Sequence, residues 1–370
     1  MFDDNVYLDF DYLEKFMVEV FYGLGVPRDE AAICADILIT ADKRGIDSHG
    51  IGRLKPIYYD RIKAGIQEAV THVEIIREGP TTAVIDGHNG MGHVIGKRSM
   101  QMAIDKAKNF GMGMVAVRNS THYGIAGYYA LMATQAGMIG MTGSNARPSI
   151  APTFGVENML GTNPLTFGIP TDEDFPFVLD CATAVSQRGK IEVYARDNKT
   201  IPEGWVIDKT GHSRTDTKQI LLDLVSGQAA LTPLGGIGED NAGYKGYGYA
   251  TVVEIMSAAL QGGAFLKALS GTDQAGKPGP YQLGHFFLAI DVETFTDLAS
   301  FKQSSGDILR ALRASEKAPG ASRIYTAGEK EQLAWLARKD RGAPLNQALQ
   351  KEILQMRDEL GLNDFRFSFE

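Results

Sequence analysis

Two histidines stand where proton transfer would suit them. His49 follows Ser48 in Asp47-Ser48-His49-Gly50, and His122 sits in Asn119-Ser120-Thr121-His122-Tyr123-Gly124. An imidazole titrates near neutrality, so it serves as general acid and base. Arg53 comes four residues after His49 and shares its side if a helix has begun there. A guanidinium beside a proton donor is the pair that a 2-oxo or 2-hydroxy carboxylate needs: two hydrogen bonds for the carboxylate and a proton for the adjacent oxygen. The plainer alternative has both histidines bonding helix ends, Ser48 serving as an N-cap and Arg53 lying on a solvated helix face.

Other chemistries lack their residues. No Gly-x-Gly-x-x-Gly follows a strand, since Gly90-Met91-Gly92 and Gly236-Ile237-Gly238 have the wrong spacing or flanks. No Gly-Lys-Ser/Thr loop exists for a nucleoside triphosphate. The seven histidines form neither His-x-His nor His-Glu-x-x-His, and no Cys-x-x-Cys occurs, so no metal site is expected. Ser144-Asn145-Ala146-Arg147-Pro148 and Gly161-Thr162-Asn163-Pro164 are polar turns beside apolar strands. Such turns either line ligands or simply reverse the chain.

The elements that must position these residues follow from apolar periodicity. Leu13, Phe16, Met17, Val20 and Phe21 make one helical stripe, Ile33, Ile37, Leu38 and Ala41 a second, and Leu54, Tyr58 and Ile62 a third. From Val73 short β-rich runs alternate with helices, which predicts an α/β unit with some parallel pairing. The chain thus reads as a helical N-terminal domain over 1–72, joined by C-terminal helices over 305–370, and an α/β domain over 73–304. An irregular excursion interrupts the latter near 197–240. An apolar helix with small residues Ser257, Ala258 and Ala259 follows Gly243-Tyr244-Lys245-Gly246-Tyr247-Gly248.

Composition narrows the function classes. With 37 Lys+Arg against 45 Asp+Glu in 370 residues, the net charge of −8 argues against nucleic-acid binding. Two cysteines, Cys34 and Cys181, cannot build a disulfide framework, which points to a reducing cytoplasm. No apolar run reaches the ~20 residues of a membrane span, and the acidic start is unlike a signal peptide.

Taken together, these motifs resemble the type-2 malate/L-lactate dehydrogenase family, which also includes ureidoglycolate, sulfolactate and diketogulonate oxidoreductases and a cyclic-imine reductase. The resemblance covers nearly the whole chain. Asp47-Ser48-His49-Gly50 with Arg53, Arg118 to Gly124, Gly161 to Pro164, Asp180-Cys181-Ala182-Thr183 and Gly243 to Gly248 carry it in order. It implies a mixed α/β fold whose sheet binds NAD or NADP without a Rossmann fingerprint, and a homodimer. It implies that His49, backed by Ser48, donates a proton to the 2-oxo group and that Arg53 holds the carboxylate. His122 would lie near the nicotinamide as acid/base or positioning group, with Thr162 and Asn163 at the border of substrate and cofactor. Asn145, Ala146, Asp180, Cys181, Ala182 and Lys245 would line the dinucleotide, and Gly328 and Glu329 match a Pro-Gly-Glu element from which Ala327 departs. Ala184 departs likewise, where a serine or threonine is usual. The expected reaction is hydride exchange between NAD(P) and malate or L-lactate. The alternatives are another 2-oxo or imino acid of the family's range and, from a different class, a catalytically silent binding protein on the same fold.

Overall fold

The computed structural model describes residues 5–272 and 275–370. In chain order they form β1 (Val6–Leu8), α1 (Phe10–Gly23), α2 (Arg28–Lys43), α3 (Asp60–Lys63), β2 (Glu74–Glu78), β3 (Thr82–Asp86), α4 (Gly92–Phe110), β4 (Met112–Ser120), α5 (Ala126–Gln135) and β5 (Met138–Ser144). There follow β6 (Leu165–Ile169), β7 (Phe177–Cys181), α6 (Arg188–Arg196), β8 (Val206–Asp208), α7 (Thr217–Ser226), β9 (Ala229–Leu231) and α8 (Gly243–Ala258). The last elements are β10 (Leu283–Asp291), α9 (Leu298–Ala314), α10 (Glu329–Arg338), β11 (Ala343–Leu345) and α11 (Gln347–Leu360).

The central sheet has the order β2-β3-β4-β10-β5-β6-β7. Only β3 and β4 pair in parallel, across the α4 crossover. A helical crossover should likewise leave β4 and β5 running the same way, and they do, but they never touch. β10 arrives from far along the chain and pairs antiparallel with both, Phe287 facing Val115 on one side and Thr142 on the other. That late strand converts an α/β pattern into a mostly antiparallel mixed sheet. The strand order is not doubly wound, so no Rossmann phosphate turn is required.

Ile85, Val115, Val117 and Phe287 on one sheet face bury against Ile95 and Met100 of α4 and Ala126 and Tyr129 of α5. A second core joins α1, α2 and α11, with Phe16, Phe21, Leu38, Tyr58 and Ile353 inside it. There β1 pairs with β11, Val6 opposite Leu345. Two three-residue strands so far apart carry no periodicity of their own, and the sequence pattern does not show them.

Two regions differ from expectation. The excursion near 197–240 is more regular than its composition suggests: β8 pairs with β9, α7 closes over them, and Ile191, Val206, Ile220 and Leu231 form a core of their own. The single helix expected from Ile51 to Ile62 is instead a 3-10 turn (Ile51–Arg53), a π turn (Leu54–Tyr59) and then α3. Pro56 lacks the N–H that an α turn needs there, and the wider turn accommodates the loss. Among the described residues no helix is long and apolar enough to cross a membrane.

Candidate active site

The end of α2 supports the first histidine. Asp42 is buried and accepts the Ile51 N–H at 2.8 Å, which closes the turn carrying Ser48 and His49. Burial pushes its carboxyl up to about 8, and the neighbouring charge of Asp47 adds to this, against the Ile51 hydrogen bond and the charge of Arg338. Because the folded pKa exceeds the unfolded value of about 3.9, the group favours folding fully below that value and loses its contribution as pH climbs towards 8. Asp42→Asn keeps the acceptor and removes the titration. Its melting temperature is expected to vary less than the wild type's from about pH 5 to about pH 8; an equal slope would show that another group titrates.

Ser48 is not an N-cap, since the following 3-10 turn starts from Gly50 without a side-chain cap. Its Oγ lies instead 2.9 Å from His49 Nδ1, and Arg53 Nε donates to the Ser48 carbonyl. His49 faces His122 with ring centroids 5.8 Å apart and planes 18° from parallel. The order in which the sequence brings Ser48, His49 and Arg53 is thus a local cluster, and β4 delivers His122 to it from across the sheet.

Both rings are held neutral. Burial lowers His49 to about 4, helped by the charge of Arg53. His122 falls well below the ordinary histidine value through burial, then through His49, His93, Arg61 and Arg53. A carboxylate bound at Arg53 would oppose its charge and restore proton affinity to His49.

Beside His49 opens a cavity of about 240 Å³, lined by Ser48, Thr162, Ala182, Cys181 and the start of α5, Gly124 to Gly127. Apart from Ile125 the side chains along that strip are small, which leaves backbone and space for a flat ring. Gly124 has φ +80°, and a Cβ there would meet Ile37 at 2.6 Å and His93 at 3.0 Å, so only glycine fits. A Cβ at Gly127 would lie 2.9 Å from Asp180. Asp180 accepts the Gly127 N–H at 2.7 Å and the Thr166 hydroxyl at 3.1 Å; burial raises its pKa against those bonds and the charge of Arg44.

The neighbouring turns are fixed from behind. Asn163, at φ +35°, donates to Glu254 Oε2 at 2.8 Å and the Ala250 carbonyl at 3.0 Å, leaving its Oδ1 buried without a partner. Asn145 donates to the Ala264 carbonyl at 3.2 Å and accepts the Gly284 N–H at 2.7 Å. The Ala146 backbone packs on Gly161, where a Cβ would sit 2.4 Å from its carbonyl oxygen. A strip that begins and ends on glycine at a helix N-terminus, with the unpaired Asn163 Oδ1 acceptor on the adjoining turn, gives polar groups and a shape that fit the nicotinamide end of a dinucleotide.

Not every sequence candidate reaches the cavity. Lys245 is exposed on the first turn of α8, over the Tyr244 ring, and does not line it. Gly328 and Glu329 open α10: Glu329 accepts the Thr326 N–H of the preceding loop at 3.1 Å and pairs with Arg323, while Gly328 packs on the Pro176 carbonyl. Their neighbour Glu331 lines the cavity instead, with Arg44 and Gln187, none of which sequence reasoning singled out. Tyr58, read only as a position on a helical stripe, bonds to both His93 and His122.

Residues 8–354 match the malate/L-lactate dehydrogenase family. A malate dehydrogenase from Pyrococcus horikoshii is 44% identical over 352 residues, covering 95% of each chain. An L-sulfolactate dehydrogenase from Methanocaldococcus jannaschii is 39% identical over 353 residues, covering 95% of this chain and 96% of that one. The crystal structure of malate dehydrogenase from Entamoeba histolytica superposes with a TM-score of 0.94 at 45% identity, covering 98% of this chain and 99% of that one. The mixed sheet without a Rossmann turn, the paired histidines and these matches lead to one assignment: the chain belongs to the malate/L-lactate dehydrogenase family of oxidoreductases.

Proposed function

We propose that the protein interconverts malate and oxaloacetate, with NAD or NADP as the hydride carrier. The observation that carries this reading is a cluster of arginines beside His122. Arg61 lies half-buried over the Tyr281 ring at 4.2 Å, and burial lowers its pKa; the charges of Arg147 and Arg53 lower it further. Arg53 and Arg61 both act on His122. Among the described residues no carboxylate pairs with Arg53, Arg61 or Arg147, so three cations crowd one place with no described acidic partner to neutralise them. A substrate with an anionic group at each end offsets that repulsion, and a monocarboxylate such as lactate offsets half of it.

Arg53 then holds the carboxylate next to the reacting carbon, as the resemblance implies, and Arg61 with Arg147 receives the far carboxylate. His49 and His122 face the 2-oxygen. Thr162, Asp180, Cys181, Ala182 and the first turn of α5 hold the nicotinamide end of the cofactor, and Asn145 and Asn163 fix the turns behind it. When bound, that cofactor supplies the hydride. Separate free thiols, Cys34 buried and Cys181 exposed, support a cytoplasmic setting. Tyr249, Val252 and Ile255, all exposed on α8, support a homodimer that covers them.

The test is initial-rate oxidation of NADH and of NADPH with oxaloacetate, sulfopyruvate and pyruvate. Oxaloacetate is expected to exceed pyruvate in kcat/KM by about 100-fold, a two-ended anion gaining a second charged contact. Arg61→Gln should lower kcat/KM for oxaloacetate by about tenfold and leave pyruvate within about twofold. Equal rates with pyruvate would remove the malate assignment, and faster sulfopyruvate turnover would move it to the sulfonate.

A further inference from the structure

Tyr58 joins three groups whose hydrogen-bonding roles determine one another. Its hydroxyl lies 2.6 Å from His122 Nδ1 and 2.9 Å from His93 Nε2. The backbone N–H of Gly124 also points at His122 Nδ1, at 3.3 Å. A backbone N–H can only donate, so His122 Nδ1 presents a lone pair. The Tyr58 hydroxyl must then donate to that same nitrogen, which spends its single proton. Its oxygen is left to accept, so His93 carries its proton on Nε2.

An independent observation gives the same result from the other end. His93 Nδ1 is buried and has no hydrogen-bond partner. With the proton on Nε2, that orphan is a bare lone pair; with the proton moved, it would be an unpaired buried N–H, the costlier and rarer defect. Both ends of the chain therefore place the His122 proton on Nε2, the ring nitrogen that Tyr58 and Gly124 do not occupy. The burial and positive surroundings of His122 oppose a second proton on the ring.

We propose that Tyr58, backed by His93, is a positioning residue that holds His122 as its neutral Nε2–H tautomer, so that His122 donates a hydrogen bond to the 2-oxygen and His49 supplies the transferred proton. The assignment of the 2-oxygen rests on the reaction proposed above. Hydride addition forms the new C–H bond and opens the carbonyl π bond, and the oxygen takes up the negative charge. His122 Nε2–H stabilises that charge without giving up its proton, because a neutral imidazole that lost it would become an imidazolate. Protonated His49 transfers its proton to the oxygen, becomes neutral and is reprotonated from solvent. The Ser48 hydroxyl at its Nδ1 keeps the ring oriented through the cycle.

The deciding experiment is a 15N spectrum of the full-length protein labelled at histidine. His122 is expected to show a pyridine-type Nδ1 and a pyrrole-type Nε2, unchanged from about pH 5.5 to about pH 8. Tyr58→Phe is expected to mix the two tautomers and to lower kcat by about tenfold with KM within about twofold, while the alkaline limb of the kcat profile for 2-oxo acid reduction, set by His49, stays in place. His122→Gln, whose amide still donates, should keep at least about ten times the activity of His122→Ala. A proton on His122 Nδ1 in the wild type, or equal loss in the Gln and Ala variants, would overturn the proposal. The spectrum uses no substrate and no variant, so it decides the tautomer even where Tyr58→Phe fails to fold or malate proves not to be the substrate.

Discussion

His49→Ala and His122→Ala are each expected to lower turnover by about 100-fold or more, while nucleotide binding, followed by titration, changes little. The geometry explains why neither ring substitutes for the other. Their centroids are 5.8 Å apart and nearly parallel, so a reacting oxygen that bonds to one approaches the second from a fixed side. His49 is held through Ser48 on its own turn, and His122 through Tyr58 on the widened turn between Leu54 and Tyr59. Losing His49 removes the proton source, and a slow proton from water replaces it. Losing His122 removes the donor that stabilises the alkoxide, a contribution of the oxyanion type. The check is kcat in both directions. Full activity in both variants would mean that the proton travels through neither ring.

What the sequence revealed, and what it hid, follows the range of the contacts involved. Ser48, His49 and Arg53 lie within six residues; the spacing of His49 and Arg53 suggests an acid and an anion clamp, and the family resemblance adds Ser48 behind the acid. Long periodic helices such as α1, α2 and α4 are equally plain, because a stripe of buried side chains repeats over several turns. Tyr58 was visible only as a core position. Its second role depends on a π turn that redirects its hydroxyl and on β4 bringing His122 across the sheet, which no local pattern encodes. Arg61 was likewise lost among surface charges, since its significance lies in having the charges of Arg53 and Arg147 nearby. Glu331, two residues beyond the Glu329 that the family pattern marks, reaches the cavity while Glu329 turns back to hold the Thr326 N–H of the preceding loop. Two positions, on opposite sides of the helix, separate a loop-holding role from a lining role, and sequence spacing alone does not decide between them.

Gly284→Ala should cost the protein about 3 kcal/mol or more of stability and carry the site with it. Gly284 lies where the pairing of β10 with β4 shifts register between Leu283 and His285. At that irregularity α8 comes close enough that a Cβ would sit 1.6 Å from the Ser257 carbonyl oxygen and 3.1 Å from Gln261. The obstacle is backbone, so no rotamer change relieves it, and either α8 or β10 must move. Both movements reach the site. The Gly284 N–H is bonded to Asn145 Oδ1 at 2.7 Å, and the Asn145 N–H returns to the Gly284 carbonyl at 3.2 Å. On the next residue, His285 holds Ser144 through Nδ1 at 2.8 Å and the Thr121 carbonyl, adjacent to His122, through Nε2 at 3.2 Å. One turn earlier on α8, Glu254 positions Asn163. Denaturant titration should therefore show a lower midpoint, and the folded fraction at low denaturant should show weaker nucleotide binding than wild type. A variant that melted early but bound nucleotide normally would separate stability from the site and show that α8 yields without moving Asn145. The same close approach explains why the small residues after Gly243 cannot be enlarged freely: they let a helix lie directly on the back of the strand that completes the sheet and fixes the turns facing His49 and His122.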